Sequence, residues 1–187
     1  MNPAPHLVLI GPMGAGKSSL GRRIAQRWAL RFVDLDREIE TRAGTEIPTI
    51  FACEGEAGFR RREREALADV LAGEGCVIAT GGGAVLDPDN RAAMRRLGFV
   101  VYLQIDVDEQ LARLAHDRSR PLLAGPDRAE VLVRLAAERG PLYAETADVR
   151  FSPVGMSATD AAEQLVDLLE HRWQRQATTL PTPQESP

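Results

Sequence analysis

The sequence predicts an α/β protein: a parallel sheet covered by helices on both faces. Apolar runs at 6–11 (HLVLIG), 32–36 (FVDLD), 76–80 (CVIAT) and 99–104 (FVVYLQ), with a weaker VRF at 149–151, alternate with longer amphipathic stretches. The first run, 6–11, is continuously apolar, as a strand buried on both faces of a parallel sheet is. The first run opens into a glycine-rich segment and then a helix-patterned one, the order in which a strand delivers a loop to a helix N-terminus.

The elements follow in order. After the first strand, SSLGRRIAQRWAL places Leu20, Ile24 and Trp28 four apart, on one helix face. The second strand, 32–36, ends in two acids, Asp34 and Asp36. In FRRREREALADVLA, Leu67, Val70 and Leu71 share a face. After the third strand comes TGGGAV (80–85), and then DPDN (87–90), a cap followed by proline at the first helical position. HDRSRPLLAGPDR (116–128) has no period and reads as a flap over residues 115–128. SATDAAEQLVDLLEHRW opens with Ser157 and Asp160 in a capping-box-like pattern before Leu165, Leu168, Leu169 and Trp173.

With 187 residues, 44% of them hydrophobic and 27% charged, the chain fits one globular domain over 1–175. A tail, 176–187, carries three prolines and no periodicity and is expected to be disordered. Net charge is -4, so binding of nucleic acid or an anionic membrane by the whole surface is disfavoured, and an anionic ligand needs a locally positive pocket. Cys53 and Cys76 show no metal spacing and lie in apolar sequence, which suits reduced thiols. The first residues carry no basic stretch followed by a long apolar one, so neither a signal peptide nor a membrane span is expected, and a cytoplasmic location is. His6, His116 and His171 have no partners at metal or triad spacing, and solvated or incidental roles are expected of them.

Of the 23 basic residues, 22 are arginine; the lone lysine, Lys17, sits in GPMGAGKS (11–18). A compact ammonium enters a loop of backbone amides more readily than a planar guanidinium does. Gly11, Gly16, Lys17 and Ser18 match GxxxxGK[ST]: inward N–H groups cradle phosphates, the lysine reaches the β and γ phosphates, and the serine hydroxyl ligates Mg²⁺. No guanine signature of the NKxD type occurs and the chain is short for a motor, which favours an ATP-dependent small-molecule kinase. Alternation by two would put Asp34 and Asp36 on one sheet face at its carboxyl edge, one acid serving Mg²⁺ and the other an acceptor hydroxyl. Capping of a helix from Arg37 is the other reading of Asp36. The arginines between 60 and 64, with Glu63 one turn on from Arg60, form a solvated helix face or turn at least one member inward, because Phe59 beside Arg60 marks the side of the helix facing the core. Gly81, Gly82 and Gly83 either admit a ligand close to the backbone or form a tight turn.

In order and spacing, GPMGAGKS, VDLD, GEAGFRRRE, ATGGGAV, RPLLAGPDR and ERGPLYAETAD resemble the shikimate kinases over residues 7–169. The resemblance implies an adenylate-kinase-like P-loop fold with a five-stranded parallel sheet, an acceptor-binding region at about 35–63 and a mobile lid. It implies phosphorylation of the 3-hydroxyl of shikimate by ATP, within aromatic amino acid (chorismate) biosynthesis. Position by position, Gly14, Ala15, Gly16, Lys17, Ser18, Ser19 and Arg120 would contact ATP. Ser18 and Asp34 would hold Mg²⁺, and Asp36, Arg60, Gly81, Gly82, Gly83 and Arg139 would bind shikimate. Lys17, Asp36 and Arg120 would be catalytic, with Arg120 in the lid. The basic residue often found in the adenine loop is missing from FSPVGMS, so Arg113 or Arg118 and the backbone near Ser152 and Pro153 are the candidates there. Small-molecule substrates only and a monomer are expected. The rivals are a gluconate-type kinase and a non-catalytic shikimate-sensing module.

Overall fold

The computed structural model describes residues 4–115 and 127–174. Residues 116–126, which carry His116, Arg118 and Arg120 and most of the expected lid, and the tail 176–187 lie outside the described residues. β1 (His6–Ile10) leads to α1 (Lys17–Arg27), β2 (Arg31–Asp34), α2 (Leu35–Ala43), α3 (Ile47–Ala72) and β3 (Cys76–Ala79). After a 3₁₀ turn, Ala84–Leu86, come α4 (Pro88–Leu97), β4 (Gly98–Leu103), α5 (Val107–Leu114), α6 (Arg128–Thr146), β5 (Val149–Phe151) and α7 (Ala158–Arg172).

The strands form one parallel sheet in the order β2-β3-β1-β4-β5. β1 is its centre, paired with β3 through Leu7↔Val77 and with β4 through Leu7↔Phe99. Leu7, Val8, Leu9 and Ile10 are all fully buried, which explains a strand without polar alternation. Leu7 and Leu9 pack with Leu20 and Ile24 of α1 and Leu165 and Leu169 of α7 on one face. On the other face, Val8 and Ile10 meet Leu35 and Ile39 of α2, Leu67 and Val70 of α3 and Met94 of α4. Each such fully buried side chain contributes about 1.5–3 kcal/mol. The predicted caps are present: Asp87 accepts from Asp89 N–H ahead of Pro88, and Ser157 accepts from Asp160 N–H at 3.1 Å.

Three expectations are corrected. The second strand stops at Asp34, and Asp36 is the second residue of α2, so the two acids do not alternate along a strand. The acidic residue is stabilised there by the positive end of the helix dipole. Cys53 is exposed, while Cys76 is buried; both are free thiols. His6 is fully buried, its Nε2 within 3.1 Å of the Leu71 carbonyl and its Nδ1 within 3.4 Å of Cys76 Sγ, so it belongs to the core and not to solvent. Burial lowers its pKa below the usual imidazole value, and the Leu71 carbonyl opposes that in part.

The strand order reverses at β1, and the carboxyl ends of β1, β2 and β3 therefore open onto one crevice, where ligands bind in open α/β sheets. The loop after β1, the start of α2 and the glycine run after β3 all meet there.

Candidate functional site

The loop after β1 is shaped by its glycines. Gly11 has φ 140°, and a Cβ on it would lie 2.5 Å from the Leu103 carbonyl oxygen, so no other residue fits beside β4. Gly16 caps α1 with φ 91°, and Lys17 and Ser18 follow as the first helical residues. Their N–H groups stand at the positive end of a helix dipole, the arrangement that receives phosphate. Lys17 Nζ donates to the carbonyls of Gly11 and Pro12, each at 2.8 Å, which keeps the ammonium over the loop. Ser18 Oγ donates to Asp34 Oδ2 at 2.6 Å. A hydroxyl and a carboxylate oxygen this close, beside a phosphate loop, form the hard-oxygen donor pair that suits Mg²⁺.

Asp36, Glu63 and Arg60 converge on the glycine run. A Cβ built on Gly81 would lie 2.8 Å from Asp36 Oδ1 and 3.0 Å from Glu63 Oε1. One on Gly83 would lie 2.6 Å from Arg60 Nη1. Gly82 faces the phosphate loop: its Cβ would stand 3.6 Å from the Gly11 oxygen, Met13 N and the Tyr143 hydroxyl. The run is both a turn, closed by Ala84 N–H on the Gly81 oxygen at 3.2 Å, and a point of close approach. The turn is as expected, and what approaches the run closely in this structure is the side chains of Asp36, Glu63 and Arg60.

α3 delivers the arginine. It is two helical segments joined across Gly55 (φ 68°, ψ -176°), and its second segment turns Phe59, 5% exposed, toward the core. Arg60 Nη1 pairs with Glu63 Oε2 at 2.6 Å and Nη2 with Glu56 Oε1 at 3.2 Å. Two other arginines of the run pair elsewhere: Arg62 with Glu54, and Arg64 with Asp87 and Asp89. Glu63 is fully buried. Burial raises its pKa above the usual carboxylate range, while the Arg60 charge pulls the other way. From α6 comes Arg139, 7% exposed, lining a cavity with Pro12, Met13 and Tyr143. Glu63 Oε1 and Arg139 Nε are buried without a hydrogen-bond partner among the described residues. One acceptor and one donor thus stand ready for a ligand carrying both complements.

Arg113 lies at the far end of the phosphate loop. It donates through Nε to Glu109 at 2.6 Å, through Nη2 to the Pro153 carbonyl at 3.2 Å and through Nη1 to the Gly14 carbonyl at 3.4 Å. The expected adenine region around Ser152 and Pro153 is therefore tied to the loop by this side chain. Arg120 and Arg118 lie outside the described residues.

The structure brings Lys17, Ser18, Asp34, Asp36, Arg60, the glycine run and Arg139 to one crevice. Glu63 and Tyr143 join them there, although the sequence marks the first only as a neighbour of Arg60 and the second not at all. A signal existed for both: Glu63 is three residues from Arg60, and Tyr143 four from Arg139, so each shares a helix face with a predicted ligand.

A Walker loop at a sheet switch point, with an acid-and-arginine cluster beside it, defines a P-loop small-molecule kinase. The family model described as shikimate kinase matches residues 13–170. A shikimate kinase from Stenotrophomonas maltophilia (strain R551-3) is 60% identical over 179 residues, covering 96% of this chain and 99% of that one. The structure of shikimate kinase from Acinetobacter baumannii in complex with shikimate superposes with a TM-score of 0.86 at 40% identity, covering 90% of this chain and 94% of that one. A gluconokinase from Sinorhizobium meliloti, at TM-score 0.54 and 18% identity over 91% of this chain and 97% of that one, shares the fold alone. The chain belongs to the shikimate kinase family. Among the described residues, no helix is long and apolar enough to cross a membrane.

Proposed function

We propose that this chain transfers the γ-phosphoryl group of ATP to the 3-hydroxyl of shikimate, giving shikimate 3-phosphate and ADP. The observation that carries the reading is the convergence of Asp36, Glu63 and Arg60 on Gly81–Gly83, directly beside the loop of Lys17 and Ser18. Arg60 and Arg139 clamp the carboxylate by charge-assisted bonds, while Asp36 accepts from a ring hydroxyl. One end of the acceptor fixes its orientation and the other meets the phosphate.

Gly14, Ala15, Gly16, Ser18 and Ser19 hold the phosphates through backbone N–H groups, and Lys17 supplies the charge. Ser18 and Asp34 hold Mg²⁺, which when bound neutralises charge on the phosphate oxygens. The 3-hydroxyl oxygen forms a bond to the γ-phosphorus as the bond to the bridging β,γ-oxygen breaks. The hydroxyl proton passes toward Asp36, and ADP carries away the electron pair. Catalysis is mostly positioning and charge stabilisation by Lys17 and Arg120, as expected of phosphoryl transfer. Residues 1–175 act as one kinase domain, monomeric and cytoplasmic.

The test is ADP release with ATP and Mg²⁺, comparing shikimate, gluconate and no acceptor. Turnover is expected with shikimate alone. Turnover with gluconate, or shikimate binding without turnover, would establish one of the rival activities instead.

A further inference from the structure

The carbonyls of Gly81–Gly83 are held in two ways. Ala84 N–H donates to the Gly81 oxygen at 3.2 Å and Leu86 N–H to the Gly83 oxygen at 3.0 Å, both within the turn that the run makes toward α4. The Gly82 oxygen instead accepts from the hydroxyl of Tyr143, a residue of α6. That bond ties the run to a second element, the one that also carries Arg139.

Tyr143 is well placed to act as a strut. It is 2% exposed, and its ring stacks on Tyr102 with centroids 5.1 Å apart and planes at 28°. Burial pushes its phenol far above the ordinary value, so the hydroxyl stays protonated and remains a donor across the neutral range. One helical turn earlier stands Arg139, 7% exposed.

Glycine offers no side chain by which its neighbours can orient it, so the direction of this backbone depends on its hydrogen bonds. The peptide joining Gly82 to Gly83 is trans and planar, and its C=O and N–H therefore point in opposite directions. Fixing the carbonyl on Tyr143 fixes the Gly83 N–H as well. Gly83 is the residue that lies under the Arg60 guanidinium, 2.6 Å from Nη1 to a Cβ built on it.

The geometry assigns Tyr143 as a positioning residue: through the Gly82 carbonyl, its hydroxyl holds the Gly81–Gly83 backbone in register with Arg139 and Arg60 around the acceptor. The assignment rests on the shikimate reading above. Tyr143 touches no reacting atom, and its effect falls on acceptor binding, not on the phosphoryl step.

The experiment is steady-state kinetics of Tyr143→Phe, which keeps the stacked ring and removes the hydroxyl. The KM for shikimate is expected to rise about tenfold, the usual cost of a buried carbonyl left without its donor. The KM for ATP and kcat are expected to stay within about twofold, the pattern of lost ground-state binding. Tyr102→Phe, in the partner ring, is expected to leave the shikimate KM unchanged. An unchanged shikimate KM in Tyr143→Phe overturns the assignment. So does a parallel rise in both KM values with a falling melting temperature, which would mark a purely structural role. An unmutated enzyme that does not turn over shikimate overturns the functional reading itself, and this inference with it, before any variant is made. If Tyr143→Phe does not fold, 3-fluorotyrosine at position 143 in a Tyr102→Phe background alters the donor while keeping the ring. A change in KM confined to shikimate then supports the assignment, and none overturns it.

Discussion

Gly81→Ala tests the acceptor site with one methyl group. Gly81 is not in the left-handed region, so alanine suits the backbone there. The added Cβ would lie 2.8 Å from Asp36 Oδ1 and 3.0 Å from Glu63 Oε1, against an ordinary contact near 3.4 Å. The two oxygens must therefore retreat by about 0.6 and 0.4 Å. Asp36 stands in the first turn of α2 and is only partly buried. Glu63 has little room to move, being fully buried and tied to Arg60 at 2.6 Å. Overpacking of this kind costs about 1–3 kcal/mol. Where it falls on the geometry of the binding groups it becomes roughly a 5- to 150-fold loss of acceptor affinity. Removing a glycine from the unfolded chain returns about 0.4–1 kcal/mol, so the melting temperature should move little. The assay is coupled ADP release with each substrate varied in turn. A raised KM for shikimate with an unchanged KM for ATP is expected, because Gly82, and not Gly81, faces the phosphate loop. A shikimate KM that ignores the methyl would refute the claim that Asp36 and Glu63 bound the acceptor.

Four further outcomes are expected. Lys17→Met keeps the length of the side chain but removes the ammonium held at 2.8 Å from two loop carbonyls, and kcat should fall by at least about 100-fold. Asp34→Asn should raise the Mg²⁺ concentration for half-maximal activity by about 10-fold or more, read from a magnesium titration at fixed ATP. A thiol reagent at pH 8 should label one cysteine quickly: Cys53 is exposed, whereas burial pushes the Cys76 thiol up to about 11. His6 carries a lowered pKa, so its contribution to stability is complete above 6.5 and is lost as pH falls below that value; melting curves of His6→Gln should show a shallower acid slope than the parent.

The sheet was legible because β1, β3 and β4 are runs of almost wholly apolar residues, and a parallel sheet buries both of their faces. The phosphate loop was legible because its chemistry needs glycines and one cation at fixed spacing. What the sequence concealed was angle and depth. Asp36 follows Asp34 by two whether the chain is extended or has begun to coil, and only the start of α2 at Leu35 decides that it reaches Gly81 from a helix end. The burial of Glu63 and His6 depends on what packs over each from elsewhere in the chain. His6 meets Leu71 and Cys76, 65 and 70 residues away, and nothing near it in sequence announces them.

The buried Glu63 Oε1 and Arg139 Nε, without partners among the described residues, bear on selectivity. Each such atom costs about 1–3 kcal/mol in the folded protein, so a ligand that satisfies both gains what the fold has already lost. Shikimate has a carboxylate to accept from an arginine and hydroxyls to donate to a carboxylate, at separations fixed by its ring. An open-chain sugar acid such as gluconate carries the same groups but must give up internal rotations to present them together. A site that needs hydrogen bonds at two fixed points also rejects a ligand that makes only one of them more strongly than an apolar pocket would. On the proposed reading, the arginines and the buried glutamate set which acceptor enters, whereas the lysine loop serves the phosphates, and Gly82 faces that loop while Gly81 and Gly83 face the acid and arginine side chains.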